Sequence, residues 1–123
     1  MRASHHATIT LDRAVEAGQV VRRLREDCGL TQSAIATATG TSVKSVRHWE
    51  RTSAIRPSND ERLRELREIA LVLKETLTPR GVSQWLSARN RILGGRRPVE
   101  VMAAGDAKAV LRAAAAYVDG AYV

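Results

Sequence analysis

The stretch that decides the fold is Thr31-Gln-Ser-Ala-Ile-Ala-Thr-Ala-Thr-Gly40, followed at once by Thr41-Ser-Val-Lys-Ser-Val-Arg-His-Trp-Glu50. Its apolar residues recur at steps of three and four, which predicts two short helices. Thr31 and Ser42 are N-cap residue types placed just before these helices, and Gly40 is suited to end the first one. The stretch therefore predicts two helices that cross closely at a glycine-containing turn.

An amphipathic stripe precedes this stretch, and a longer stripe follows it. The first stripe runs over residues 11–28 and is ended by Gly29. The second runs from Leu63 to Leu77, behind a Ser58 and Glu61 pair that has the spacing of a capping box. Because the second stripe continues for two heptads, it suits a partner helix in the same chain or in a second copy.

Shorter helices are predicted in the rest of the chain, starting after Thr78-Pro79, at Pro98 and at Gly105-Asp106. No segment alternates with period two over a length that demands a sheet, so the predicted fold class is all-α. Residues 54–57 read as an extended linker, because residues before proline avoid the helical region. This linker divides the chain into an N-terminal region, 1–57, and a C-terminal region, 58–123.

Composition narrows the class of protein. The 123 residues are about one domain's worth of chain, and 20 Lys and Arg against 13 Asp and Glu give a net charge of +7, which attracts polyanions, nucleic acid above all. The single Cys28 excludes an internal disulfide and a cysteine metal cluster. No apolar run is long enough for a membrane span, and His5 and His6 stand where a signal peptide needs apolar residues. We expect a soluble, cytoplasmic protein that is not an enzyme, with no metal, cofactor or small-molecule substrate.

The pattern T-Q-x-x-I-A-x-x-x-G-x-S-x-x-x-V-x-x-W-E of residues 31–50 resembles the Xre/Cro-type helix-turn-helix of phage and bacterial repressors, and the resemblance covers roughly residues 14–57. One departure is Arg51-Thr52, where that family usually has a glycine. The resemblance implies that the helix capped by Ser42 enters the major groove and that Gln32 hydrogen-bonds a phosphate, as Ser33 is also able to do. It also implies a homodimer that binds operator half-sites ~34 Å apart.

Helical geometry predicts which side chains of the recognition helix face outward. Steps of 100° per residue from an inward Val46 place Lys44, His48 and Arg51 on the far side. The predicted DNA-binding residues are Gln32, Ser33, Ser42, Lys44, Ser45, Arg47, His48 and Arg51. Lys44 and His48 are the candidates for reading bases. The alternative is a solvated face on a helix-turn-helix that serves only for packing.

The string Trp85-Leu-Ser-Ala-Arg-Asn90-Arg-Ile-Leu93-Gly-Gly-Arg-Arg-Pro98-Val-Glu100 resembles the C-terminal domain of Xre/MbcA/ParS antitoxins, a likeness that extends over residues 58–123. The resemblance implies a partner that is a RES-domain, NAD-consuming toxin, with the end of the chain inserted in the toxin's NAD-binding cleft. The residues predicted to bind the toxin are Arg96, Arg97, Gly120, Ala121, Tyr122 and Val123. Two alternatives to toxin binding remain for the arginine-rich strip 80–99: contact with the DNA backbone, and a face that meets only solvent. For the tail, the alternative is a frayed terminus.

Together these patterns predict an antitoxin of a type II toxin-antitoxin system that blocks its toxin and represses its own operon. In this hypothesis the stripe from Leu63 to Leu77 helps to form the homodimer. Two alternatives are a stand-alone Xre-like repressor without a toxin and an interaction module that does not bind DNA.

Overall fold

The computed structural model describes residues 15–120. Within that range the chain forms seven α-helices and one short 3-10 helix. The α-helices are α1 Ala17–Glu26, α2 Gln32–Thr39, α3 Val43–Thr52, α4 Pro57–Lys74, α5 Pro79–Ser87, α6 Pro98–Ala103 and α7 Ala107–Val118, and the 3-10 helix is Arg91–Leu93. The pairing of Asn90 with Arg96 is an isolated antiparallel bridge. The all-α prediction is confirmed.

Side-chain caps begin four of the helices at the residues that the sequence indicated. A hydroxyl or carboxylate oxygen accepts a hydrogen bond from the backbone N–H three residues later at Thr31 (3.0 Å), Ser42 (3.1 Å), Thr78 (3.1 Å) and Asp106 (3.2 Å). Gly40 ends α2 in the left-handed conformation, with φ of 71°. The helix-turn-helix is therefore built by local capping signals.

Two predicted helix starts are wrong. The long helix α4 begins at Pro57 with Arg56 as its N-cap and no side-chain cap, so Ser58 and Glu61 do not form a capping box. Proline is suited to this first helical position because its fixed φ is already helical and its missing N–H has no partner there. Helix α1 begins at Ala17, with Val15 outside it, and residues 11–14 of the predicted stripe lie outside the described residues.

The N-terminal part of α1 packs very closely against the C-terminal end of α3. The Gly18 N–H donates to Ser53 Oγ at 2.9 Å. Ser53 caps α3 in the left-handed conformation, with φ of 60°. The Xre/Cro-type pattern usually has a glycine at this turn. Here Ser53, one residue past Arg51-Thr52, makes the turn, and its hydroxyl accepts the hydrogen bond that holds α1 in place.

One hydrophobic core joins the N-terminal and C-terminal regions. Every helix contributes buried apolar side chains to it, and α2 packs on both α4 and α6. Arg62 of α4 adds a polar link, since its Nη1 donates to the Ala103 carbonyl at the end of α6 at 3.1 Å. The division at residue 57 therefore separates two sequence regions that share a core.

The leucine stripe of α4 is used within the chain. Leu63, Leu66 and Leu73 are each fully buried, against α1, α2, α5 and α7. Of the two partners that the stripe suited, the structure provides the one in the same chain, and these three leucines leave no exposed side-chain surface for a second copy. No helix of the described segment is long and apolar enough to cross a membrane.

Candidate nucleic-acid interface and C-terminal surface

Helix α3 presents a cationic face to solvent. Val46 and Trp49 are buried, at 0% and 3% exposure, against α1 and α2. The side chains that the helical geometry placed on the far side, Lys44, His48 and Arg51, are all exposed, and Arg47 beside them is exposed as well. The outward placement of Lys44, His48 and Arg51 is therefore confirmed, and the face is positioned to meet a polyanion.

The beginning of α3 carries two hydroxyls from the predicted set. Ser42 is exposed and Ser45 half-buried. Ser42 Oγ accepts the cap hydrogen bond and lies 3.2 Å from Ser45 Oγ, to which it donates. Both hydroxyls keep lone pairs or protons for a further partner, at the helix end that enters the groove in proteins of this motif.

A hydrogen-bonded network ties the start of α2 to α3. Gln32, the first residue of α2, accepts from Arg47 Nε at 3.3 Å and donates to Glu50 Oε1 at 3.4 Å. Arg25 of α1 holds the same carboxylate through Nη1, at 2.8 and 3.0 Å. The network orients Gln32 and Arg47 beside each other, while Ser33 is exposed on the next position of α2. Gln32, which was predicted to contact a phosphate, is thus brought together with Arg47, another of the predicted DNA-binding residues.

The sequence did not indicate the role of Arg25 or Glu50. The two residues belong to different helices, and no spacing rule connects charges across a tertiary contact. The presence of a single acid between Cys28 and Asn59 was the available signal, because a lone carboxylate among cations usually has a partner.

An open cleft of ≈ 590 Å³ lies beside the recognition helix. Its lining includes Ser45 and His48 of α3, together with Thr41, Arg56 and Asn59, which were not predicted as site residues. These side chains come from the turn before α3 and from the segment leading into α4. Trp49, Ala54 and Ile55 also line the cleft, so it combines polar and apolar side chains next to the cationic face.

The two arginines of the predicted toxin-binding set lie in the loop before α6. Arg96 is exposed, and its Nε donates to the Leu93 carbonyl at 3.5 Å. Arg97 is half-buried and pairs with Glu100 at 3.5 Å. The same loop is braced by Asn90, which is 8% exposed and whose side chain accepts from the Ile92 N–H at 3.0 Å. The Asn90 side chain therefore caps the 3-10 helix.

The last helix packs beside this loop. Helix α7 packs against the 3-10 helix, and the Tyr117 and Trp85 ring centroids are 6.3 Å apart. Gly120 follows α7 with φ of 70°. The predicted toxin-binding residues Ala121, Tyr122 and Val123 lie outside the described residues.

Among the residues that the structure describes, two titratable groups have shifted pKa values, and neither lies on these surfaces. Burial raises the pKa of the Cys28 thiol, which keeps it in its neutral form among apolar neighbours. Partial burial, with a smaller effect of the Glu61 charge, raises the pKa of Glu65 on α4. Within residues 15–120 no group of three or more His, Cys, Asp or Glu side chains is placed to hold a metal ion.

Helices α2 and α3, with the cationic face on α3, define a helix-turn-helix protein. Residues 16–61 match the family model described as a helix-turn-helix domain. The chain is 48% identical over 115 residues to the "Probable mycobacterial cidal antitoxin Rv3188" of Mycobacterium tuberculosis (strain ATCC 25618 / H37Rv), with 94% of this chain and 98% of that protein covered. It therefore belongs to the family of mycobacterial cidal antitoxins, and is an antitoxin of a toxin-antitoxin system with a helix-turn-helix domain.

More distant relatives agree. The chain is 29% identical over 99 residues to the "Mycobacterial cidal antitoxin MbcA" of Mycobacterium bovis (strain ATCC BAA-935 / AF2122/97), covering 80% of this chain and 88% of that one. The crystal structure of the M. tuberculosis MbcT-MbcA toxin-antitoxin complex contains a chain that matches with a TM-score of 0.73 and 28% identity, over 86% of this chain and 96% of that chain. The predicted antitoxin resemblance is confirmed, as is the prediction of a non-enzymatic protein.

Proposed function

We propose that this antitoxin neutralises a RES-domain, NAD-consuming toxin in the cytoplasm by blocking its active site, and that it binds operator DNA to repress its own operon. The observation that carries the proposal is the 48% identity to an antitoxin over nearly the whole length of both chains. A relative of this fold, MbcA, has been crystallised in complex with MbcT, which supports a toxin as partner here.

The support for DNA binding is the exposed cationic face of α3 and the network that aligns Gln32 with Arg47. In this proposal Lys44 and His48 face the base edges, and Arg47, Arg51, Gln32 and the serines 33, 42 and 45 contact bases or phosphates. Because several phosphates are neutralised at once, operator affinity falls steeply with salt.

Charge reversal tests the DNA-binding surface. We expect Lys44→Glu to weaken operator binding at least about tenfold, with toxin binding unchanged, because it replaces a cation at the groove by an anion. Lys108→Glu is the matched control, since Lys108 is also exposed but lies on α7. Equal effects of the two substitutions would contradict the assignment of this face. No footprint of the unaltered chain on its upstream region at low salt would favour an interaction module that does not bind DNA.

The support for active-site blocking is the resemblance to the Xre/MbcA/ParS C-terminal domain. An aromatic Tyr122 is a suitable anchor for a concave pocket, and the terminal carboxylate is suited to pair with arginines that otherwise bind the phosphates of NAD. Arg96 and Arg97 are proposed to contact the toxin outside that pocket.

Truncation tests this blocking. Removal of residues 120–123 is expected to abolish protection against the toxin and to leave operator binding intact, because these residues follow the last helix. Full protection by the truncated chain would contradict insertion of the tail.

We also propose a homodimer, because a single helix-turn-helix binds one half-site. Since the α4 leucines are buried in their own chain, the dimer contact uses another surface. A complex with toxin that presents several antitoxins gains operator affinity through effective concentration. Analytical ultracentrifugation measures the oligomeric state of the free chain and the stoichiometry of its complex with the toxin.

A further inference from the structure

Residues 89–97, here named the arginine loop, form a closed and pre-formed structure. The Asn90 N–H donates to the Arg96 carbonyl at 3.1 Å, and the Asn90 carbonyl accepts from Leu93 at 3.1 Å and from Gly95 at 2.8 Å. The Leu93 side chain, 7% exposed, anchors the loop in the core. Because these backbone groups are already paired, the loop loses little conformational freedom when it binds a partner.

The tip of the arginine loop exposes an apolar side chain among cations. Ile92 is 48% exposed, and among the described residues only Leu71, also 48% exposed, is another large apolar side chain in this state. Arg89, Arg91 and Arg96 are exposed in the same loop, and the sequence from 80 to 99 contains no acid. Apolar anchors accompanied by arginine are typical of the centres of protein interfaces.

We infer that the arginine loop is a docking element for the toxin, with Ile92 inserted in an apolar pocket and Arg91 and Arg96 paired with carboxylates at the rim of that pocket. The inference rests on the proposed function, in which the chain binds a toxin. It separates two tasks: the arginine loop supplies affinity, and the C-terminal end supplies inhibition. A DNA backbone would pair with the arginines equally well but offers no apolar surface for Ile92 at its phosphates.

Binding of the full-length chain to the toxin encoded by the neighbouring reading frame tests this inference. Ile92→Ala is expected to weaken binding at least about tenfold, mainly through faster dissociation. Leu71→Ala is the matched control, because the two side chains have the same exposure of 48%, and we expect its affinity to stay within about twofold of the unaltered chain. At saturating concentration the Ile92→Ala chain still blocks the toxin completely, whereas the chain without residues 120–123 binds but does not block.

The outcomes distinguish this inference from the function on which it rests. Unaltered affinity of Ile92→Ala, or an equal loss in both alanine variants, overturns the docking role of the arginine loop alone. Failure of the unaltered chain to bind the toxin overturns the proposed function together with the inference. Arg91→Glu is a second surface variant. If it weakens operator binding and not toxin binding, the arginine loop belongs to the DNA interface and the inference is wrong.

Discussion

At the scale of single residues, Gly18 fixes how closely α1 approaches α3. A Cβ atom at this position would lie 2.8 Å from Ser53 Oγ and 2.9 Å from the Glu50 carbonyl oxygen, closer than real Cβ atoms come to other heavy atoms. The hydrogen bond from the Gly18 N–H to Ser53 also depends on this approach. The absence of a side chain therefore places the recognition helix relative to α1.

Substitution of Gly18 tests this contact. Gly18→Ala is expected to lower the free energy of unfolding by about 2 kcal/mol, because overpacking at a rigid backbone outweighs the better helix propensity of alanine. The neighbouring exposed residue provides the control, and Gln19→Ala should change the free energy by less than about 0.5 kcal/mol. Urea denaturation of the two variants measures the difference, and equal stability would contradict the close packing.

A second residue-scale prediction concerns Glu65, whose pKa is raised by partial burial and by the Glu61 charge. Because the folded-state pKa lies above the unfolded one, the ionised carboxylate destabilises the fold, and the favourable contribution is present at low pH and lost as pH rises. Glu65→Gln should thus raise the melting temperature at pH 7, and the gain should vanish near pH 3. Glu61→Gln should reduce the gain. A gain that is equal at both pH values would contradict this assignment.

At the scale of elements, most helix boundaries follow from local chemistry and were predictable. Caps at Thr31, Ser42, Thr78 and Asp106 start helices where the sequence indicates. The outward face of α3 was also predictable, because helical periodicity fixes it once Val46 is inside. The start of α4 was not, because Pro57 and the Ser58–Glu61 pair are competing local signals and the sequence does not rank them.

The arginine loop is the element whose rigidity is most open to a direct test. Asn90→Ala removes the side-chain acceptor of the Ile92 N–H, and we expect a loss of about 1–2 kcal/mol in the free energy of unfolding. Hydrogen exchange at the Ile92 amide should accelerate at the same time. Unchanged exchange in this variant would show that the side chain does not brace the loop.

At the scale of the whole molecule, the helix-turn-helix and the C-terminal helices form one packed unit. Helix α2 packs on α4 and α6, and the network of Arg25, Glu50, Gln32 and Arg47 joins three helices. These long-range contacts could not be predicted, because a single sequence records periodicity and capping but not which helix faces which. For the same reason, the sequence could not decide whether the α4 leucines pack on helices of the same chain or of a second copy, and the structure shows the packing within the chain.

The shared core predicts cooperative folding. A fragment of residues 1–57 lacks α4 and α6, against which α2 packs, and we expect it to show no sharp thermal transition. The full chain should unfold in one transition, since both regions contribute to the same cluster. Circular dichroism melting compares the two, and a cooperative transition in the fragment would contradict a core that requires both regions.

The most direct test of the central claim is to titrate the toxin encoded by the neighbouring reading frame with the purified full-length chain. The rate of NAD consumption is measured at each step of the titration. If the chain silences the toxin by occupying its active site, the rate should fall linearly with added chain and reach zero at a fixed molar ratio, and the chain should be recovered unmodified. Undiminished NAD consumption in the presence of excess, correctly folded chain would contradict the account.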